Sequence, residues 1–211
     1  MLRLFASAAV LSMLCLSGCG STGGTLGGLV PAPKFLKGQV VGNTYYAPDG
    51  GFQIDTPHPA TGNSRETYEW SYGRVKEGSD GPLKFVEFGP FAFDRNSYSV
   101  DVVPKRPGQS AENAAKFWWG QSNRSGEFRE LIQLAVDLDQ KSAYYSAYRN
   151  IKQDYILVTT FIEFDDHVAN VYATVRQSPG LPVSEARIIQ RTWKRYNDFA
   201  GSLRIPGTLP K

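Results

Sequence analysis

The chain has 211 residues, of which 41% are hydrophobic, 13% aromatic and 20% charged. That suits one globular domain behind a leader and excludes a collagenous, disordered or polytopic membrane protein. The formal charge of +3 comes from 23 basic against 20 acidic residues, and the leader carries one of the basic ones, Arg3. A duplex-binding protein gains affinity by releasing counterions through many clustered cations, and this balance offers no such excess, so no nucleic-acid partner is expected.

Residues 1–18 read as an export signal: Arg3, an apolar run over 4–16, then the small residues Ser17 and Gly18. The run is shorter than the roughly 20 residues a spanning helix needs. Leu16-Ser17-Gly18-Cys19 resembles the lipobox of bacterial lipoproteins. The resemblance implies cleavage before Cys19 and acylation of that cysteine; Cys15, preceded by the branched Leu14, fits less well. Acyl chains contribute about 0.8 kcal/mol per buried CH₂, so two or three hold a protein on a membrane without a transmembrane helix. Gly20, where inner-membrane lipoproteins carry Asp, implies the outer membrane, facing the periplasm. Cys15 and Cys19 are the only cysteines, so the remainder is expected to fold without disulfides or thiol chemistry.

Residues 19–38 are rich in Gly, Ser, Thr and Pro and read as a lipidated flexible tether, leaving 39–211 as a single domain. Within it, Tyr45 to Ala47, a turn at 48–51 and alternation over 52–55 predict a hairpin. Residues 68–75, 83–88 and 97–103 read as extended runs, the last with Tyr98, Val100 and Val102 on one face. Ser110 caps a predicted helix with Ala111, Ala114, Ala115 and Trp118 on its apolar side and Gly120 near its stop. Strands follow over 128–137, 142–149, 155–164 and 168–175, the last two joined at Asp165-Asp166-His167. Residues 183–203 form an amphipathic helix with the stripe Ile189, Trp193, Tyr196, Ala200 and Leu203. The order of elements predicts an α+β fold, a mainly antiparallel sheet flanked by helices.

The pattern Gly42-x-x-Tyr45-x-x-Pro48-Asp49-Gly50-Gly51-Phe52-x-Ile54-x-x-Pro57, with the mid-chain helix, paired late strands and closing helix, resembles the PsbP-like α/β/α sandwich. That resemblance covers roughly 40–205 and implies a fold shared by assembly and adaptor subunits, with no reaction attached.

Chemistry-bearing residues are sparse. His58 and His167 are the only histidines, and no nucleophile elbow, Ser-x-x-Lys or phosphate-binding glycine loop occurs. Asp165-Asp166-His167 reads as a turn whose residues tolerate positive φ rather than as a metal cluster. The carboxylate pairs Glu163 with Asp165 and Asp137 with Asp139 read as solvated sheet residues. No catalytic residue, metal or cofactor is expected. The 4 Trp, 11 Tyr and 12 Phe exceed what a core of this size requires, so some are expected to serve a binding surface. The candidates are Phe117 and Trp119 beside the helix stripe, with Tyr144 and Tyr148 on one strand face and Tyr145 on the other. The last helix offers a basic face, Arg187, Arg191, Lys194 and Arg195, suited to anionic headgroups. The reading is a membrane-anchored envelope lipoprotein acting as a non-catalytic protein-binding assembly or maintenance factor. The alternative is a lipid- or glycan-binding module with an aromatic-lined groove.

Overall fold

The computed structural model describes residues 37–59, 62–91, 95–176 and 184–207. The leader, Cys19 and nearly all of the tether lie outside the described residues.

A three-stranded antiparallel sheet opens the domain, β1 Gln39–Val41, β2 Thr44–Tyr46 and β3 Gln53–Asp55. After helix α1 Arg65–Tyr72 come β4 Val75–Asp80, β5 Leu83–Phe88 and β6 Ser97–Pro104, then α2 Ala111–Ser122. The chain finishes with β7 Phe128–Leu138, β8 Lys141–Asn150, β9 Tyr155–Glu163, β10 His167–Arg176 and α3 Glu185–Gly201. The second sheet has seven strands in the order β4-β5-β6-β10-β9-β8-β7, antiparallel throughout. From β6 the chain crosses through α2 to the far edge and returns strand by strand, so β10 closes the sheet against β6. The predicted α+β class, with a mainly antiparallel sheet, is the observed one.

Residues 68–75 do not form the extended run that their aromatic content suggested. They belong largely to α1, because the Oγ of Ser64 accepts the N–H of Thr67 at 3.2 Å and Arg65 pairs with Glu69 one turn on. Gly73, at φ 120°, ends the helix. Likewise, the turn at 165–166 needs no positive φ. Left-handed residues sit instead in the β7–β8 turn, where Asp139 and Gln140 have φ of 52° and 63°, as a two-residue hairpin that follows sheet twist requires.

The main core lies between the seven-stranded sheet, α3, α1 and the small sheet. It is built from Val86, Phe88, Tyr98, Val100, Val158, Ile162, Val171 and Phe199, among others. Helix α3 buries Ile188, Tyr196, Phe199, Ala200 and Gly201. Trp193, placed by sequence on the buried stripe, stays 38% exposed, because it stands over Tyr145 beside the open space between α3 and β7. Tyr196 pins the helix: its hydroxyl lies 2.8 Å from the carbonyl oxygen of Val171 and 2.7 Å from Thr160 Oγ1, so it can donate to the first and accept from the second. Burial pushes this phenol far above its ordinary pKa. On the opposite sheet face α2 packs through Ala111, Ala114 and Ala115 on Phe161 and Val168, small residues that let helix and sheet approach closely. The Oγ of Ser110 caps α2 by accepting from the N–H of Asn113, and Glu163 accepts from the N–H of Ala111 while pairing with Lys105 at 2.5 Å.

Glu77 ties the small sheet to the large one. It accepts the Tyr45 hydroxyl at 2.5 Å, the Arg65 guanidinium at 2.7 Å and the N–H of Gly38 at 3.1 Å, while Arg65 also donates to the Val75 carbonyl at 2.7 Å. Desolvation works to raise the Glu77 pKa, but the bonds from Tyr45, Arg65 and Gly38 outweigh it and hold the carboxyl below its usual range.

Two outcomes are expected. Tyr196→Phe should lower unfolding free energy by about 1–2 kcal/mol in chemical denaturation, since Thr160 and Val171 lose their partner. Glu77→Ala should cost about 2 kcal/mol by removing the acceptor shared by Tyr45, Gly38 and Arg65, while Arg65 keeps Glu69. Because the folded pKa of Glu77 is depressed, its contribution is present above the unfolded carboxylate pKa and lost as pH falls through the folded value. A wild-type minus Glu77→Ala stability difference that does not shrink in acid would contradict this network.

Candidate functional site

The site is an open apolar groove between α3 and the outermost strand β7, with a volume of about 590 Å³. Its floor and one wall come from β7 and β8. Ile132 stands opposite Ala147 and Leu134 opposite Tyr145, and because partners across a ladder share a face, all point toward α3. A register shift between Glu130 and Ile132 displaces Leu131, which packs into the same groove. The other wall is α3, whose Ala186, Ile189, Gln190 and Trp193 recur at helical spacing. Trp193 stands edge-on to Tyr145, ring centroids 4.9 Å apart.

Two properties set this groove apart from the rest of the surface. Ile132 (40% exposed), Leu134 (38%) and Trp193 account for three of the six exposed large hydrophobic residues among those described. The Tyr145 hydroxyl lies buried in the floor without a hydrogen-bond partner among the described residues, and burial alone pushes its pKa well up.

The aromatic candidates divide between the two faces of the sheet. Tyr145 belongs to the groove. Tyr148 lies on the α2 face, buried under Trp119, whose ring stacks on it with centroids 4.0 Å apart and planes 9° off parallel. Tyr144 is beside it, its hydroxyl 3.3 Å from Gln133, which also bonds Tyr148 at 2.9 Å. Phe117 projects from α2, 60% exposed, with the Arg106 guanidinium 6.0 Å from its ring centre. Sequence reasoning therefore named Tyr145 but missed Leu131, Ile132, Leu134, Ala186 and Gln190, and placed Ile189 and Trp193 in the core. The available signal was the uncharged run 131–136 between Glu130 and Asp137.

Arg187, Arg191, Lys194 and Arg195 are all exposed on α3. The last three line a second, polar cleft of about 540 Å³ with Asp55 and Asp198, and Lys194 pairs with Asp198 at 2.6 Å. Its mixed charge makes it a weaker anion site than the helix sequence alone suggested.

Most of the partly buried titratable groups are engaged in the fold. His58 is buried, its ring 4.4 Å from that of Phe91 and stacked on Tyr72 at 5.4 Å. His167 Nδ1 lies 2.7 Å from Asp166. Asp139 pairs with Lys141 and Arg204, and both cations reach the Gly201 carbonyl at the C-terminal end of α3. Among the described residues no group of three or more His, Cys, Asp or Glu converges for a metal, and no helix is long and apolar enough to cross a membrane.

Asp101 is the exception. Desolvation on the face of β6 away from α3 raises its pKa from 3.8 to about 6. The folded state therefore holds this proton more tightly than the unfolded chain, and stability falls as pH rises from about 4 to 6. Asp101→Asn should flatten that part of the profile and raise stability at pH 7 by about 1–2 kcal/mol, measured by denaturation across pH. An unchanged slope would contradict the desolvated carboxylate.

No family model matches the chain, and no curated protein does. Among solved structures, the chain is similar to a Pseudomonas aeruginosa protein of unknown function, described as a candidate regulator. The match covers 60% of this chain and 95% of the other at 14% identity, with a TM-score of 0.36. A likeness of that size carries no argument about what this chain does.

Proposed function

We propose that this protein is a membrane-anchored envelope lipoprotein whose domain acts as a non-catalytic protein-binding assembly or maintenance factor. The observation that carries the binding role is the open apolar groove between β7 and α3, with Leu134 and Trp193 at its lips. An uncovered apolar surface of this kind costs solubility unless a partner covers it. The anchor rests on the leader and on Leu16-Ser17-Gly18-Cys19, with Cys19 carrying the acyl chains at the periplasmic face of the outer membrane. Helices on both faces of the sheet support the PsbP-like reading, and with it an adaptor role by analogy. The exposed Arg187, Arg191, Lys194 and Arg195 would meet anionic headgroups once the tether holds the domain near them.

A second reading draws on the unpartnered Tyr145 hydroxyl, which suits a small apolar ligand with one polar group, such as a lipid. Native mass spectrometry of the detergent-purified chain separates the two: a recurrent bound lipid lost on Tyr145→Phe favours the ligand module.

A photo-crosslinking residue at Trp193 of the full-length chain, activated in its own membrane, should capture protein, and Leu134→Lys should reduce that capture at least about tenfold. Failure to capture any protein would overturn the docking role. Cys19→Ala should release the chain from membranes washed with salt and carbonate. Retention of that variant would overturn the anchor.

A further inference from the structure

The groove is bounded by a strand whose outer edge pairs with nothing among the described residues. The two ends of the large sheet differ. The terminal strand β4 is six residues long and carries Lys76, Glu77, Gly78 and Asp80, the charges and glycine that discourage edge pairing. The opposite terminal strand, β7, has eleven residues and no proline or lysine; its charges Arg129, Glu130 and Asp137 and its bulge lie toward its ends, so the uncharged stretch 132–136 is left unguarded.

An occupant of this surface must therefore be extended, to satisfy a row of edge N–H and C=O groups. It must be uncharged at its centre and apolar at alternate positions on the groove face. β7 itself meets each requirement. Antiparallel self-pairing centred on Gln133 sets Ile132 of one copy opposite Leu134 of the other, both on the groove face. Carried past the bulge with faces matched, the same pairing sets Glu130 opposite Ala135 and Arg129, held by Glu185 of its own chain, opposite Val136, so no like charges face one another.

We infer that the surface is closed by a second copy of this chain, through two-fold antiparallel pairing of β7 with β7, giving a continuous fourteen-stranded sheet with the two grooves merged across the axis. The inference rests on the docking role proposed for the groove and names its occupant.

Sedimentation equilibrium of the full-length chain in detergent should give a dimer, and Cys19→Ala should leave it dimeric. Leu134→Lys should weaken association at least about tenfold, while circular dichroism and the thermal midpoint stay near wild type. Ala135→Glu, an exposed edge position on the other face that comes opposite Glu130 of the second copy, should do the same and covers the case in which Leu134→Lys misfolds. With Cys15 and Cys19 the only native cysteines, Gln133→Cys in a Cys15→Ala, Cys19→Ala background places one reporter at the axis. Directly opposed residues in such a ladder have Cα atoms about 4.5–5.5 Å apart, within disulfide reach, so oxidation of the detergent-purified variant should give a covalent homodimer.

A monomer, or a dimer indifferent to both edge variants, overturns the inference. If the chain is monomeric while the Trp193 crosslink captures a different protein, the self-pairing falls and the docking role stands. If neither forms, both fall.

Discussion

The position of α3 on the sheet decides the rest of the molecule's surface, and a single buried phenol decides that position. Tyr196 bonds the Val171 carbonyl on β10 and Thr160 on β9, strands in the middle of the seven-stranded sheet. A polar group buried this completely tolerates little sliding, because a shift in register would strand both of its partners. At the far end of the helix, Lys141 and Arg204 fix the Gly201 carbonyl to the β7–β8 turn. Held at these points, α3 covers β9 and β10 and the near side of β8. It meets β7 only in part: Leu138 is buried in the core with Leu131 and Val136 packed against it, whereas Ile132 and Leu134 stay exposed and line a groove.

The same economy of cover explains the contrast between the sheet's faces. α2 seats three alanines on Phe161 and Val168 and is held by Ser110 and Glu163, so the strands nearest to it are closed by small residues and tight approach. Trp119 completes that cover by stacking on Tyr148. An aromatic that seals the sheet in this way contributes to packing, whereas Trp193 leans over an open floor. Three of the six exposed large hydrophobic residues among those described therefore gather at one edge, and that edge also has backbone unpaired among the described residues. Side-chain and main-chain demands coincide at β7, and it is their coincidence that points to strand pairing.

Much of the fold could be read from the sequence where local and tertiary signals agreed. The alternation of Tyr98, Val100 and Val102, the Ser110 cap before an alanine-rich face and the late hairpin at 165–166 each carry their own periodicity. The helix α1 could not be recognised from its aromatics, since Tyr68 and Tyr72 satisfy strand and helix propensities alike. Only the Ser64 cap, the Arg65–Glu69 spacing and the stop at Gly73 distinguish them. The site was harder to find. Ile189 and Trp193 belong to the apolar stripe of α3 whether that stripe is buried or not, and helical spacing cannot state how far the helix extends over its sheet. Similarly, Leu131, Ile132 and Leu134 read as an ordinary strand, because which strand lies at an edge is a property of the order β8-β7 and not of β7 alone. The anchor is the reverse case: a few residues around Cys19 carry the whole signal, outside the described fold.

The proposed pairing requires the β7 edge to be covered in the anchored protein. Amide hydrogen exchange, followed over 131–136 in the membrane and again after dispersal of the Leu134→Lys variant in detergent, tests that most directly. Slow exchange in the membrane, comparable to that of the interior strands β9 and β10, with fast exchange at the outward amides of the dispersed variant, is the predicted result. Equally fast exchange in both states would mean that the edge stands open, and would contradict the account.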